Sequence, residues 1–241
     1  MANKTRIEWT EVTWNPVTGC TPVSPGCDNC YARRMAHRLQ AMRNPAYKDG
    51  FKPTIHRERF DEPLHWKKPR MVFVCSMGDL FHSDIKAADI EQIISVMKMT
   101  PQHTYQILTK RSSRLRLWEY GWLELPENVW IGVSIETKKQ IFRRNDLQYV
   151  KAPIRFISFE PLLGPIDLES LTGIDWVIVG GETGPGARPM KPEWVRAIRD
   201  QCIDKGVPFF FKRWGGSYSQ ARNRELDGRV WNEIPEVPGE S

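Results

Sequence analysis

Short apolar runs recur from residue 71 to residue 212, about 20 to 30 residues apart. Each run is rich in β-branched and aromatic residues and ends in polar residues or glycine. The runs are continuous rather than alternating, which is typical of parallel strands covered on both faces. They lie at residues 71–75 (MVFVC), 104–108 (TYQIL), 129–135 (VWIGVSI), 154–159 (IRFISF), 175–181 (DWVIVGG) and 207–212 (VPFFFK).

Segments with the spacing of amphipathic helices lie between these runs. Apolar residues at helical spacing predict one helix over Asp89–Met99 and another over Pro192–Lys205. In the second, proline occupies the first turn and Gly206 stands where the helix ends. Strands that alternate with helices predict an α/β fold, and about seven such units predict a full or partial (β/α) barrel of parallel strands. An open doubly wound sheet is the alternative.

The length of 241 residues predicts one domain or at most two. We expect a single barrel domain over residues 1–216, with a basic helix and an insertion at 31–70, and a peripheral C-terminal tail at 217–241. The sequence has no apolar run long enough to cross a membrane, and its first residues lack the apolar core of a signal peptide. These features predict a cytoplasmic protein whose five cysteines do not form disulfides.

Positive charge is concentrated at the N-terminal end. Residues 1–70 carry 13 Lys and Arg against 7 Asp and Glu, whereas the rest of the chain is balanced. Between residues 43 and 70 the cations alternate with aromatic residues, a combination that suits nucleic acid because phosphates pair with cations and bases stack on rings. A lid over a small-molecule site is the alternative. The aromatic residues are Tyr47, Phe51, Phe60 and Trp66, and further cations follow at Lys138, Lys139, Arg143 and Arg144.

Just before the insertion, a predicted helix over Tyr31–Met42 carries an apolar stripe. The stripe is expected to pack into the core, with the arginines of the helix facing elsewhere. Its members are Tyr31, Met35, Leu39 and Met42.

Three cysteines lie within eleven residues of the turn-rich segment GCTPVSPGCDNCYA, at Cys20, Cys27 and Cys30. Clustered thiolates favour zinc, copper(I) or an iron–sulfur cluster. Structural zinc usually takes four ligands in two pairs, and no second CxxC pair is present. Three cysteines therefore favour a 4Fe–4S cluster with one iron open to a small molecule, with zinc as the alternative.

The remaining candidates for a fourth metal ligand are less suited to that role. Cys75 ends a predicted strand and Cys202 lies on the apolar face of a predicted helix, so both are expected in the core. His37, His56 and His65 lack the paired spacing of zinc sites.

Polar and charged residues follow every predicted strand. In a barrel, the carboxyl ends of the strands form the active site, so these residues are expected to converge in one pocket. The glycine-rich stretch after residue 179 permits close approach to a ligand, and Arg188 has paired donors for a phosphate or carboxylate, although a tight turn explains the glycines equally well. The strand-end residues are Ser76, Met77, Gly78, Asp79, Lys110, Ser134, Glu136, Glu160, Gly180, Gly181, Glu182, Lys212 and Arg213.

These motifs together resemble the radical S-adenosylmethionine (SAM) superfamily, and more closely a phage-associated branch of it. The resemblance extends from Trp9 to Trp214. The chain departs from the commonest superfamily spacing, CxxxCxxC, because six residues separate Cys20 from Cys27. Its Gly-Gly-Glu also comes late, at residues 180–182. The resemblance rests on GCTPVSPGCDNCYA, SMGDLF, LTKR, GVSIE, FEPLLG, GGETGPGARPM and FFFKRWG.

The resemblance implies that Cys20, Cys27 and Cys30 hold a 4Fe–4S cluster and that SAM binds the open iron through its amino and carboxylate groups. An electron from the cluster then yields a 5′-deoxyadenosyl radical, which removes hydrogen from the substrate. For each residue assigned on this basis, a salt bridge or cap at the barrel rim is the alternative. The implied SAM contacts are Ser76, Met77, Gly78 and Asp79 at the amino group, Lys110 at the carboxylate, and Ser134 and Glu136 at the ribose. The expected substrate contacts are Glu160, Gly180, Gly181, Glu182, Arg188, Lys212 and Arg213.

The phage-associated resemblance further implies a modified thymine in viral DNA as the substrate. Isomerisation of an amino-acid-like substituent on the thymine methyl carbon, within a DNA hypermodification pathway, suits a reaction that removes one hydrogen. Expected partners are DNA or a modified nucleotide and an electron donor for the cluster, in the host cytoplasm if the chain is viral. The alternatives are radical repair of DNA, as in spore photoproduct lyases, and a non-catalytic nucleic-acid-binding protein stabilised by a cluster or zinc.

Overall fold

The computed structural model describes residues 3–5, 7–118, 125–168, 170–216 and 223–236. Its α-helices are α1 (Tyr31–Ala41), α2 (Ala87–Met99), α3 (Phe142–Leu147) and α4 (Pro192–Lys205). Its strands are β1 (Asn3–Lys4), β2 (Val12–Trp14), β3 (Val17–Thr18), β4 (Thr54–Ile55), β5 (Met71–Val74), β6 (Thr104–Thr109), β7 (Val129–Ser134), β8 (Arg155–Phe159), β9 (Trp176–Gly180), β10 (Phe209–Arg213), β11 (Glu225–Leu226) and β12 (Arg229–Val230).

One sheet dominates the fold, in the order β1-β2-β5-β6-β7-β8-β9-β10. Strand β1 pairs antiparallel at one edge, and the other seven strands are parallel and curl into a half-barrel. The strands follow one another in chain order, whereas a doubly wound sheet reverses its order at a switch point. The prediction of a partial (β/α) barrel is therefore confirmed, and the doubly wound alternative is wrong.

Aromatic side chains fill the concave side of the half-barrel near its base. Because side chains alternate across a strand, one side chain in two points inward. Trp9 and Phe73 meet there with ring centroids 4.7 Å apart in an edge-to-face contact. Two members of the cluster, Trp9 and Phe73, border a cavity on this side of the sheet. The buried members of this cluster are Trp9, Phe73, Trp130, Ile154, Phe156, Trp176, Ile178 and Phe210.

The convex side of the sheet packs against helices. Helix α4 buries Val195, Ile198 and Cys202 against it, so the expectation that Cys202 belongs to the core is confirmed. Helix α4 also ends as predicted, because Gly206 adopts the left-handed conformation (φ 65°) that terminates a helix.

The apolar stripe of helix α1 does not lie in the core, contrary to the prediction. The buried residues of the helix are Ala32 and Ala36, whereas Tyr31 and Met35 are exposed. The two alanines face the core, whereas Tyr31 and Met35 border the cavity at the strand ends. The stripe is therefore not core.

The insertion that follows α1 is mostly irregular, as predicted, apart from short 3₁₀ turns and strand β4, which pairs with β3. Its aromatic residues are less available than expected: Tyr47, Phe60 and Trp66 are all buried. Among the cations expected to contact nucleic acid, Arg143 is also buried. Only part of the proposed basic and aromatic surface can therefore meet a ligand from outside.

The described part of the C-terminal tail docks on strand β10. The backbone N–H of Phe211 donates to the carbonyl of Trp231 at 2.9 Å, and Trp231 is buried. Residues 217–222 and 237–241 of the predicted tail lie outside the described residues. Within the described ranges, none of the helices has the length and apolar character needed to span a membrane.

Candidate active site

A cavity of about 680 Å³ opens at the carboxyl ends of the parallel strands. It brings together residues from every predicted strand end. The three cysteines also border it, and we call the segment before α1 that carries them the cysteine loop (residues 20–30). The predicted site residues that border it are Cys20, Cys27, Cys30, Ser76, Met77, Gly78, Asp79, Lys110, Ser134, Glu160, Gly181, Glu182, Lys212 and Arg213. Glu136, Gly180 and Arg188 lie next to this wall without bordering the cavity.

The start of the cysteine loop is fastened to the end of β5. The N–H of Gly19 donates to the carbonyl of Met77 at 2.8 Å, and Gly19 pairs with Gly78 in a parallel bridge. A Cβ on Gly78 would lie 3.0 Å from the backbone of Thr18, so glycine permits this close approach. The backbone contact fixes Cys20 at the cavity wall.

Cys20 lies in a mixed electrostatic environment. Burial and the nearby charge of Asp79 raise the pKa of Cys20 to about 11, although Arg111 opposes them. The Arg111 guanidinium lies 3.8 Å from the Cys20 sulfur and donates to the hydroxyl of Thr21 at 2.7 Å. Without metal, Cys20 is a neutral thiol at pH 7, and metal binding there must release a proton.

The three cysteines of the loop offer sulfur donors to the cavity. All three are free and partly exposed on the cavity wall. Among the described residues, no three His, Cys, Asp or Glu side chains are grouped so as to hold one metal ion. Thiolates are ligands for both zinc and 4Fe–4S clusters. The choice between zinc and a cluster therefore stays a prediction from the sequence.

The other candidate metal ligands have different surroundings. Cys75 borders the cavity but is buried, and burial raises its pKa. His56 lies 2.8 Å from the hydroxyl of Thr18, and its pKa is lowered, mainly by burial. These contacts are structural, so Cys20, Cys27 and Cys30 remain the candidate ligands for a metal or cluster.

Arg188 fastens the other end of the cysteine loop. Its guanidinium donates to Glu182 (Nε to Oε2, 2.9 Å) and to the carbonyl of Pro25 (2.7 Å), and it lies 3.3 Å from the carboxylate of Asp28. Asn29 donates to the same Glu182 oxygen at 2.8 Å. We call Asn29, Glu182 and Arg188 the loop clamp. Because the donors of Arg188 are engaged with protein groups, its predicted contact with substrate stays a prediction.

The clamp sets the ionisation of Glu182. Burial alone raises the pKa of Glu182, but the hydrogen bonds from Arg188 and Asn29 outweigh burial, so this pKa lies below its ordinary value. Glu182 is thus a carboxylate at neutral pH.

Glu136 supports the cysteine loop from below. It is fully buried, 3.0 Å from Arg143, and it accepts a hydrogen bond from Ser24 at 2.8 Å. A Cβ on Gly26 would lie 2.4 Å from the Glu136 side chain. Glu136 is therefore packed under the loop, whereas its predicted partner at the SAM ribose, Ser134, borders the cavity.

Asp79 joins the ends of β5 and β6. Its carboxylate accepts hydrogen bonds from the Thr109 hydroxyl at 2.8 Å and from the backbone N–H groups of Phe81 and Lys110 at 3.0 and 3.3 Å. It remains on the cavity wall, and its predicted contact with the SAM amino group stays a prediction. Lys110 lies beside it with its ammonium 3.5 Å from Glu136.

On the opposite wall, Glu160 and Lys212 form an ion pair of 2.6 Å. The side chain of Glu160 passes over Gly180, where a Cβ would lie 3.4 Å from its carboxyl carbon. Arg213 also borders the cavity and pairs with Glu8. The insertion contributes Tyr47 and Phe51 to the cavity wall, which supports its alternative interpretation as a lid.

Three contacts that shape this site were not predicted from the sequence. Arg111 belongs to a predicted strand end, but its contact with Cys20 was not predicted, and Asn29 was noted only as a neighbour of Cys30. Ser158 lies inside strand β8 and points into the cavity. For Ser158, the one indication in the sequence was its position two residues before Glu160, since side chains alternate along a strand.

Three comparisons place the chain among known proteins. The model of the family described as "Protein of unknown function (DUF5131)" matches residues 4–235. No curated protein matches the chain. Among solved structures, a spore photoproduct lyase double mutant with bound AdoMet and dinucleoside spore photoproduct is similar at a TM-score of 0.52 and 12% identity, over 83% of this chain and 63% of that one.

A second solved structure, spore photoproduct lyase complexed with dinucleoside spore photoproduct, has a TM-score of 0.51 at 11% identity and covers 94% of this chain and 66% of its own. The chain therefore spans less than two thirds of the length of these structures. At such identity the likeness concerns the fold, which is the radical-SAM-like half-barrel.

Proposed function

We propose that this chain, which belongs to the DUF5131 family, is a radical SAM enzyme that holds a 4Fe–4S cluster on Cys20, Cys27 and Cys30. One observation carries the proposal: three free thiols on one loop border a cavity at the carboxyl ends of a half-barrel. The fold likeness to a spore photoproduct lyase with bound AdoMet supports it.

When bound, the cluster and SAM supply one-electron chemistry that removes a hydrogen atom from the substrate. The chain supplies the fixed surroundings for that step. Arg111 places a positive charge beside the Cys20 sulfur, and the loop clamp holds the far end of the cysteine loop. Lys110 offers a cation for the carboxylate of SAM. The aromatic base of the half-barrel excludes water from below.

We assign the substrate to DNA bases, with modified thymine in phage DNA as the specific proposal. The reaction would isomerise an amino-acid-like substituent on the thymine methyl carbon. Support comes from the polar side chains of Glu160, Lys212 and Arg213, which border the same cavity as the cysteine loop. Repair of a DNA lesion is the second candidate, because the solved half-barrels that resemble this one hold a dinucleoside spore photoproduct. Non-catalytic nucleic-acid binding is the third.

A deuterium-transfer experiment tests the substrate assignment. The reduced, cluster-loaded chain is incubated with SAM and with DNA whose thymine substituent carries deuterium, and 5′-deoxyadenosine is analysed by mass spectrometry. We expect deuterium in 5′-deoxyadenosine with modified DNA and none with unmodified DNA. If 5′-deoxyadenosine forms but never acquires deuterium from any DNA, the DNA-base assignment is wrong. If a loaded cluster never cleaves SAM, the enzyme proposal itself is wrong.

A further inference from the structure

Two buried polar atoms border the deep part of the cavity without a hydrogen-bond partner. The hydroxyl of Ser158, in β8, and the indole N–H of Trp9 have none among the described residues. Both residues are at most 2% exposed, and both border the cavity. Because an unpaired buried polar atom is costly, native structures seldom keep one that neither a ligand nor water satisfies. These atoms indicate a binding site deeper than the strand ends.

An ion pair borders the same cavity as Ser158. Glu160 follows Ser158 by two residues, just past the end of β8, and its carboxylate contacts Lys212 at 2.6 Å. The side chains are 24% and 12% exposed, so both are largely removed from water. Their charges cancel, so a ligand group that contacts the pair should be uncharged overall. It should also offer a donor to Glu160 and an acceptor to Lys212.

Aromatic rings form the remaining surface of this site. Trp9 and Phe73 border the cavity beside Ser158, in edge-to-face contact with each other. Such rings favour contact with a flat, unsaturated ligand over a flexible aliphatic one. We call Trp9, Phe73, Ser158, Glu160 and Lys212 the floor subsite.

We propose that the floor subsite binds the imide edge of a pyrimidine base. This inference rests on the proposed function and names the group that the enzyme recognises. An imide presents one N–H between two carbonyls, so the N–H can donate to Glu160 while the carbonyls accept from Lys212 and from Ser158 or Trp9. Cytosine lacks this N–H, and in the same ring orientation its N3 acceptor faces the Glu160 carboxylate, which repels it. The subsite thus selects thymine or uracil rings over cytosine.

Isothermal titration calorimetry of the full chain tests this inference, with thymidine, N3-methylthymidine and deoxycytidine as probes and no SAM added. We expect thymidine to bind and N3-methylthymidine to bind about tenfold more weakly, because methylation removes the imide donor. Ser158→Ala and Lys212→Met should each weaken thymidine binding about fivefold to tenfold. Ser95→Ala, on the exposed face of α2, is the matched control and should leave binding unchanged.

The outcomes separate the two proposals. Equal binding of thymidine and N3-methylthymidine, or unchanged thymidine binding in folded Ser158→Ala, would overturn the imide assignment even if SAM is cleaved. Competition by a free amino acid at equal affinity would also overturn it, since the pair would then recognise a dipolar group. Because no SAM is present, a failure of the radical reaction leaves this measurement unaffected. Thermal unfolding of each variant verifies that it folds.

Discussion

At some glycines around the cavity, a neighbouring group occupies the space that a larger side chain would need. At Gly181, a Cβ would lie 1.9 Å from the carbonyl oxygen of Trp214, at the end of the neighbouring strand. The sequence showed that residues 180–186 are rich in glycine. It could not show whether a ligand or a backbone fills the space, because that depends on a residue more than thirty positions away.

Replacement of Gly181 by alanine should therefore be severe. We expect Gly181→Ala to lower the free energy of unfolding by about 2 kcal/mol or more, since backbone atoms must move to admit the methyl group. Gly164→Ala is the matched control, because nothing lies within 4 Å of the position of its Cβ. Urea denaturation measures both. Equal stability of the two variants would show that the strand ends are more compliant than the structure indicates.

The loop clamp should make stability depend on pH. The pKa of Glu182 lies below its ordinary value of 4.5, so the carboxylate stabilises the fold above that pH, and the contribution is lost as pH falls through the lowered pKa. We expect Glu182→Gln to be less stable than the parent by about 1–3 kcal/mol at pH 7. The difference should shrink steadily below pH 4.5. Urea midpoints across this range measure it, and a difference independent of pH would contradict the clamp.

At the scale of elements, apolar patterning predicted the central strands and α4 closely, because continuous burial leaves a strong pattern. It missed β2, which has only three residues. It also placed the Met35 stripe of α1 in the core, since periodicity identifies an apolar face without showing what that face meets. The predicted strand ends do lie around one cavity. The contacts of Glu136 and Arg188 with the cysteine loop were not predicted, because they join elements that are distant in the sequence.

One such contact joins the end of β7 to α3. Loss of the Arg143 charge leaves the buried Glu136 with the hydrogen bond from Ser24 and the longer contact to Lys110, so Arg143→Met should cost roughly 3 kcal/mol in the free energy of unfolding. Arg144→Met, one residue further and less buried, is the control and should cost well under 1 kcal/mol, as is usual for an exposed polar contact. If both variants unfold at the same urea concentration, the buried pair contributes nothing to stability.

At the scale of the whole molecule, the half-barrel and the cysteine loop border one cavity. Aromatic rings that include Trp9 and Phe73 of the floor subsite close its base, and the cysteine loop borders it at the carboxyl ends of the strands. The loop is held at both ends by strand-end arginines, Arg111 after β6 and Arg188 after β9. A cofactor bound to the loop and a substrate bound in the floor subsite would thus share one cavity.

The radical SAM proposal is tested most directly by electron paramagnetic resonance of the full chain, reconstituted anaerobically with iron and sulfide and then reduced. We predict a 4Fe–4S signal that changes when SAM is added, because the fourth iron is open. The signal should be absent from Cys27→Ala and retained in Cys202→Ala, whose thiol lies in the core on α4. Tightly bound zinc without iron, or a cluster signal that SAM leaves unchanged, would contradict the proposal.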